Sequence, residues 1–201
     1  GQDETVPLLV ADSPPELLMA FVHPPRNIHV TAKSTRFAFL VHLLSSRDYA
    51  NFDPSLSRFN ERQLEELHHR ISHFVDPFPV GTISVQSPIG GDAVGELILI
   101  PHTAEELMKL PAETALAEVL RAAEIARARG AEIVGLGGFT SVVSQGGMSL
   151  TGPNLPRLTN GNSFTVVMAV RAVELACRQR GVNLEDATVA VVGAGGSIGR
   201  A

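Results

Sequence analysis

The stretch "VAVVGAGGSIGRA" at Val189–Ala201 joins an apolar run to a turn that is rich in glycine. In such a turn the first glycine permits a tight bend, the second admits a pyrophosphate close to the backbone, and the third lets the next helix pack closely. The free N–H groups of that helix face the phosphate charge. The pattern therefore predicts a buried strand at 188–192 and then a dinucleotide-binding turn made by Gly193, Ala194, Gly195, Gly196, Ser197, Ile198 and Gly199.

The spacing of these glycines, G-x-G-G-x-x-G, is one residue longer than the usual G-x-G-x-x-G. A purely structural turn is therefore the alternative interpretation. The residue that distinguishes NAD from NADP follows such a turn by about 20 residues. It would lie beyond Ala201, so this stretch does not separate the two cofactors.

Helical patterns alternate with apolar runs upstream of the turn. Apolar runs predict strands at 36–44, 81–86, 95–100 and 132–136. Capping pairs predict helices that begin at Asn60 with Gln63 and at Thr103 with Glu106. Further helices are predicted at 112–130 and 163–180. The alternation predicts an α/β fold with a mostly parallel sheet.

Two stretches are predicted to lack helices and strands. Residues 1–35 have little periodicity and carry Pro7, Pro14, Pro15, Pro24 and Pro25. We expect them to form an arm or an interdomain linker that proteolysis trims first. Residues 146–162 are rich in Gly, Pro, Asn and Thr, which predicts a loop.

The composition is that of a globular domain and not of a disordered tail. Of the 201 residues, 44% are hydrophobic and 18% are charged, and the net charge is -5. The acidic balance argues against a nucleic-acid partner. The sequence shows no signal peptide and no apolar run of about 20 residues, the length of a membrane span. With Cys177 as its one cysteine the chain has no disulfide framework, which favours a cytoplasmic location.

The sequence "GGFTS" follows the predicted strand at 132–136 and is the best candidate for contact with a substrate. Ligands of open parallel sheets bind beyond the carboxyl ends of the strands. Two glycines expose backbone N–H groups, and Thr140 and Ser141 offer hydroxyls to a reacting carbonyl. An ordinary turn is the alternative. We also expect an exposed turn, in which Gly138→Val blocks the substrate and leaves the fold largely intact.

Histidines occur on the helix predicted after Asn60. His69 and His73 are four residues apart, with His68 beside them, a spacing that can hold a metal on one helix face. No acidic residue accompanies them at ligand spacing, so we predict a solvated face and no metal site. His102 stands alone before Thr103 and is not assigned a catalytic role.

Two stretches together resemble a known family. "AEIVGLGGFTSVV" and "TNGNSFTVVMAVRAVELACRQRGVNLEDATVAVVGAGGSIG" resemble the cyanobacterial long-chain acyl-[acyl-carrier-protein] reductases. They are similar, more distantly, to the two-domain oxidoreductases of the shikimate dehydrogenase and glutamyl-tRNA reductase type. The resemblance runs from about Phe37 to Ala201.

The resemblance implies an NADPH-dependent reductase that converts fatty acyl thioesters, acyl-ACP or acyl-CoA, to aldehydes. It implies an arm at 1–35, an α/β substrate-binding domain at 36–162, and a linking helix with the first βα turn of a Rossmann domain at 163–201. It also implies a cleft between domains, lined by "TNGNSFT" as well as by "GGFTS". The implied substrate-binding residues are Gly137, Gly138, Phe139, Thr140, Ser141, Thr159 and Asn162.

The same resemblance implies a nucleophilic cysteine after the glycine turn, and Cys177 does not match it. The sequence is therefore expected to be an N-terminal fragment without catalytic residues. The implied partner is an acyl carrier protein or a CoA thioester, and a homo-oligomer is left open.

Two alternatives to the acyl reductase remain. The "GAGG" at 193–196 is closer to the shikimate dehydrogenase type, which would act on a small hydroxy or keto acid with NADPH or NADH. However, neither Lys33 nor Lys109 lies in a matching lysine–aspartate motif. The other alternative is a non-catalytic module that binds an acyl chain or a carrier protein.

Overall fold

Strand β1 (Thr35–Leu43) lies at the centre of the sheet in the computed structural model, which describes residues 35–86 and 91–200. A strand that is buried on both faces carries a continuous apolar run, and "TRFAFLVHL" is such a run. The strand predicted at 36–44 is thus confirmed. The arm expected at 1–35 lies outside the described residues, apart from Thr35, which begins β1.

The predicted mostly parallel sheet is confirmed. The other strands are β2 (Phe78–Val85), β3 (Ala93–Thr103), β4 (Ile133–Leu136) and β5 (Arg157–Thr159). Among the described residues the strand order is β2-β3-β1-β4-β5. Strand β1 pairs in parallel with β3 and β4, β4 pairs in parallel with β5, and β2 runs antiparallel to β3. Strand β5 was predicted as loop, because three residues are too few to show a periodic pattern.

The four predicted helices lie close to their predicted positions, and two short helices that were not predicted occur at Tyr49–Phe52 and Phe139–Val143. In chain order the helices are α1 (Tyr49–Phe52), α2 (Glu61–Ile71), α3 (Ala104–Lys109), α4 (Ala112–Ala128), α5 (Phe139–Val143) and α6 (Asn162–Arg180). Short 3-10 turns occupy Ser46–Asp48, Pro54–Arg58, Gln145–Gly147 and Leu184–Asp186. The side chains of Asn60 and Thr103 each accept a hydrogen bond from the backbone of their predicted partner, which confirms both capping boxes.

Apolar side chains pack on both faces of the sheet. Alternate residues of a strand point to opposite faces, so Leu40 and Val41 of β1 belong to different clusters. The Leu40 cluster includes Val119 and the small residues of α4. The Val41 cluster includes Tyr49 of α1 and Ile71 of α2. Each fully buried Leu, Ile or Val in these clusters contributes about 1.5–3 kcal/mol to stability, so the two helical layers hold the sheet.

The chain divides into two units, Gly1–Thr159 and Asn160–Ala201. In the second unit α6 ends at Gly181, as predicted, and no residue of α6 is buried. The strand predicted at 188–192 is wrong, since these residues form no strand and Val192 is 99% exposed. A strand exists through hydrogen bonds to a neighbour. No segment in the described part of the chain pairs with this one, so its apolar pattern has no partner.

Candidate functional site

The strand order places the switch point of the sheet between the carboxyl ends of β1 and β4. In chain order the parallel strands are β1, β3, β4 and β5. In the sheet, β3 lies on one side of β1 and β4 lies on the other side. The strand order thus reverses between β1 and β4. Open α/β sheets bind ligands at such a switch point, beyond the carboxyl ends of the strands. The "GGFTS" turn follows β4 at this edge.

Gly137 and Gly138 give the turn its shape. The N–H of Gly137 donates to the carbonyl of Leu40 in β1, at 3.1 Å. Gly138 has a φ of +53°, in the left-handed region that favours glycine, and a Cβ there would lie 2.5 Å from Nε2 of His42. The expectation that Gly138→Val leaves the fold intact is therefore wrong. Only Gly138 of the turn is exposed, and its backbone conformation and the adjacent imidazole leave no room for valine.

His42, at the end of β1, is a site residue that the sequence analysis missed. Its Nδ1 lies 2.9 Å from the carbonyl oxygen of Leu43, and its Nε2 lies 3.2 Å from the backbone nitrogen of Phe139. A carbonyl only accepts and an N–H only donates, so the hydrogen-bond network assigns the proton to Nδ1. One feature of the sequence could have indicated His42: it is a polar residue close to the end of a mostly apolar central strand.

The hydroxyl of Thr140 supports the turn from within. Thr140 is 0% exposed, and its Oγ1 donates to the carbonyl of Gly137 at 2.8 Å. The hydroxyl of Ser144 donates in turn to the carbonyl of Thr140 at 2.6 Å. Ser141 and Phe139 are half-buried beside it. Contact of these residues with a substrate stays a prediction, and in this structure the hydroxyl of Thr140 is committed to the turn.

The "TNGNSFT" motif spans the boundary between the units. Thr159 is the last residue of β5, and Asn162 is the first residue of α6. The prediction that Asn162 or Ser163 caps this helix is wrong, because Gly161 is the cap residue, with a φ of +70°. The side chain of Asn160, the residue before Gly161, accepts the N–H of Asn162 at 3.0 Å and so satisfies one donor at the start of the helix.

The glycine turn has three features that match the roles assigned to its glycines. Gly193 has a φ of +82°, in the left-handed region. A Cβ on Gly195 would meet no atom within 4 Å, so the backbone there is open to an approaching group. A Cβ on Gly199 would lie 2.5 Å from the carbonyl oxygen of Gly193, which leaves no room for a side chain. The predicted cofactor residues 193–199 are all exposed.

A side-chain hydrogen bond joins two predicted motifs within the second unit. Nδ2 of Asn162 donates to Oγ of Ser197 at 2.9 Å. The start of α6 is thereby connected to the glycine turn, although the two residues are 35 positions apart. Arg200 closes the turn from its other side, since its guanidinium donates to the carbonyl of Gly195 at 2.9 Å.

A buried chain of polar groups links α1, α2 and α3. The hydroxyl of Tyr49 lies 3.0 Å from Nδ1 of His68, and Nε2 of His68 lies 2.7 Å from a carboxylate oxygen of Glu106. His68 is 6% exposed, so its predicted place on a solvated face is wrong. Its position four residues after Leu64 and three before Ile71 puts it on the inward side of α2.

Two groups of this hydrogen-bonded chain, Tyr49 and Glu106, have shifted pKa values. Burial of the phenol, with the nearby Glu106 carboxylate, raises the pKa of Tyr49 to about 12. Burial opposes ionisation of Glu106, but hydrogen bonds from the Thr103 backbone and from His68 outweigh it and lower the pKa of Glu106. A phenol that is held neutral and buried is a poor nucleophile. The hydrogen bonds of Tyr49, His68 and Glu106 therefore connect the three helices.

His102 adds an uncharged imidazole to this cluster. Burial lowers the pKa of His102 more than the Glu106 carboxylate raises it, and the imidazoles of His73 and His68 also lower it. Its ring faces that of His73 at 6.1 Å between centroids. Across residues 35–86 and 91–200, no group of three or more His, Cys, Asp and Glu side chains has an arrangement that could hold a metal ion.

The lowered pKa of Glu106 predicts a loss of stability in acid. A carboxyl whose folded pKa lies below its ordinary value stabilises the fold above that value, and this contribution disappears as the pH falls through the folded pKa. We expect the urea midpoint to fall between about pH 5 and about pH 3, less steeply in Glu106→Gln than in the wild type. Glu105→Gln, on the exposed side of α3, is the control. Equal pH slopes in the wild type and Glu106→Gln would contradict this explanation.

Fold and sites together define an open-sheet α/β protein with the "GGFTS" turn at its switch point and, in a second unit, an exposed glycine turn. No family model matches the chain. Within the described residues, no helix has both the length and the apolar character needed to cross a membrane.

Curated proteins that are similar to the chain include a reductase and an aminotransferase. The long-chain acyl-[acyl-carrier-protein] reductase of Synechococcus elongatus is 36% identical over 132 residues, which cover 62% of this chain and 39% of the reductase. The aminotransferase PigE of a Serratia species is 32% identical over 114 residues, which cover 57% of this chain and 13% of PigE. The chain thus spans only a minor part of either relative.

Proposed function

We propose that this chain belongs to an NADPH-dependent reductase that converts fatty acyl thioesters to aldehydes, with acyl-ACP or acyl-CoA as substrate. The observation that carries the proposal is the local geometry of the glycine turn. Gly193 bends it, Gly195 leaves the backbone open, and Gly199 leaves no room for a side chain. The first two are roles that glycines serve around a dinucleotide pyrophosphate, and the third allows a close contact within the turn.

The proposed cofactor site consists of the glycine turn and the start of α6. Backbone N–H groups of 193–199 would hold the pyrophosphate of NADPH, with NADH as the alternative, and Ser197 is already oriented by Asn162. The space at Gly195 fits a phosphate, since no atom of the described residues lies within 4 Å of the position of an added Cβ. When bound, the nicotinamide supplies a hydride. This chain's own task is to bind and orient the cofactor.

The substrate class rests on the similarity to the cyanobacterial reductase, whose name states that it acts on acyl-[acyl-carrier-protein]. The proposed substrate site is a crevice beyond the carboxyl ends of β1 and β4, with Gly137, Gly138, Phe139, Thr140 and Ser141 at its rim. Substrate contact by Thr159 and Asn162 of "TNGNSFT" stays a prediction. Acyl carrier protein is the proposed partner, and a cytoplasmic location stays a prediction.

A binding module without activity of its own is the second candidate. A segment of similar length also matches a protein that is named an aminotransferase, which favours a unit shared by proteins of different activity. Cys177, the one cysteine of the sequence, is half-buried on α6 and does not fit the role of a nucleophile. A shikimate-dehydrogenase-like enzyme that acts on a small acid is the remaining alternative.

A substitution at Gly195 tests the cofactor site. Gly195→Ala adds a methyl group where the structure has open space, so the fold should tolerate it while a pyrophosphate loses its close approach. In NMR titrations we expect NADPH to shift the amide signals of 193–199. Affinity should fall about tenfold in Gly195→Ala, which is about 1.4 kcal/mol.

The control is Gly152→Ala, whose added Cβ would make an ordinary contact of 3.6 Å with Leu155. It should leave NADPH binding unchanged. Binding by this chain is expected to be weak, because one βα turn supplies only part of a dinucleotide site. An equal response of the wild type and Gly195→Ala would contradict the role of Gly195. Stronger binding of NADH than of NADPH would reverse the choice of cofactor.

A further inference from the structure

Both ring nitrogens of His42 are occupied by the backbone. Nδ1 lies 2.9 Å from the Leu43 carbonyl oxygen, within its own strand end, and Nε2 accepts the N–H of Phe139 across the crevice at 3.2 Å. A histidine that exchanges protons with a ligand needs a free nitrogen. His42 has none, so its geometry suits holding a neighbour in place.

The neighbour that His42 holds is the turn at Gly138. The Cβ that Gly138 lacks would lie 2.5 Å from Nε2, so the imidazole rests directly on the Gly138 backbone. The ring also lies against Phe139, with 5.8 Å between ring centroids. His42 therefore connects the last residues of β1 to the first residues after β4, on the two sides of the switch point.

We propose that His42, as the Nδ1–H tautomer, is a positioning residue that fixes Gly138 and Phe139 at the rim of the crevice and so determines the fit of an acyl thioester. The proposal rests on the proposed function for the identity of the ligand. His42 accepts the Phe139 N–H and rests against the Gly138 backbone, so it holds both residues in place. A ligand in the proposed crevice would then meet glycine backbone and an aromatic side chain, which suit an acyl chain close to its carbonyl.

The tautomer is the first test, and it needs no variant. Nitrogen-15 NMR distinguishes a protonated ring nitrogen from one that only accepts. We expect His42 to be protonated at Nδ1 and unprotonated at Nε2 near neutral pH. A proton on Nε2 would overturn the proposal, because that nitrogen could then not accept the Phe139 N–H.

A double-mutant cycle is the second test. Gly138→Ala should destabilise the wild type through the contact with His42 and through backbone strain, and in a His42→Ala background only the strain remains. We expect Gly138→Ala to raise the unfolding constant about tenfold more in the wild type than in the His42→Ala background, a difference of about 1.4 kcal/mol. Additive effects of the two substitutions would show that the imidazole does not hold the turn.

Ligand binding is the third test and separates this proposal from the proposed function. Lauroyl-CoA is titrated into the chain while the amide signals of Gly138 and Phe139 are followed, with CoA alone as the control for its headgroup. We expect His42→Ala to weaken the response about tenfold, or about 1.4 kcal/mol. His42→Gln should restore most of it, since its side-chain oxygen can accept the Phe139 N–H.

The outcomes of this titration point to different conclusions. A wild type that does not respond to lauroyl-CoA would contradict the proposed acyl thioester function. A wild type that responds, with His42→Ala responding equally well, would overturn the role of His42 and leave the proposed function standing.

Discussion

Replacement of His68 by alanine is expected to lower the free energy of unfolding by about 2–4 kcal/mol. The substitution removes the hydrogen bond to the Tyr49 hydroxyl and the one to the Glu106 carboxylate. The buried Tyr49 hydroxyl thus loses the hydrogen bond that His68 makes with it. A buried polar group that loses its hydrogen-bond partner lowers the free energy of unfolding. Urea denaturation followed by circular dichroism measures the loss.

His69→Ala is the matched control, because the two histidines are adjacent in sequence and differ in burial. His69 lies on the exposed side of α2, so its replacement should change stability by no more than about 0.5 kcal/mol. Equal losses in the two variants would show that the chain of polar groups does not stabilise the fold. The loss of stability in His68→Gln should lie between those of the two alanine variants, since an amide can replace part of the hydrogen bonds of His68.

Gly137→Ala is expected to cost about 2–3 kcal/mol. The added Cβ would lie 2.5 Å from the carbonyl oxygen of Leu40, and the N–H of Gly137 donates to that same oxygen. A backbone carbonyl in a central strand cannot move away without breaking its own hydrogen bonds. The variant should therefore show a lower thermal midpoint and altered amide signals at the ends of β1 and β4.

Gly152→Ala is the control for the general effect of adding a methyl group to a glycine. Its Cβ would approach Leu155 no closer than 3.6 Å, so we expect a change within about 0.5 kcal/mol. If Gly137→Ala were as stable as Gly152→Ala, the close contact between β1 and the "GGFTS" turn would not hold in solution.

Local signals in the sequence predicted most of the fold. The continuous apolar run predicted β1, and the capping boxes at Asn60 and Thr103 predicted the starts of α2 and α3, because these features depend on neighbouring residues. Strand β5 escaped prediction since three residues carry no periodicity. The segment at 188–192 has a clear apolar pattern but forms no strand. A strand also needs a neighbouring strand to pair with, which the pattern of one segment does not reveal.

The candidate site was predicted only in part. The position of "GGFTS" after a strand follows from sequence, and the structure puts this turn at the switch point of the sheet. His42 and Gly138 are 96 positions apart by their numbers, and only the parallel pairing of β1 with β4 brings them together. Helical spacing could have identified His68 as inward, although nothing in the sequence indicates that Tyr49 and Glu106 would meet it.

The two outer strands of the described sheet limit its growth into aggregates. Strand β2 carries Pro79, which has no N–H to donate, and its register with β3 shifts between Pro79 and Gly81. Strand β5, at the other edge, is only three residues long. Sheet edges that are long and regular can pair with strands from other copies of a protein. The proline in β2 and the short length of β5 both hinder such pairing. The sheet is thus expected to resist edge-to-edge polymerisation at the high concentrations used for NMR.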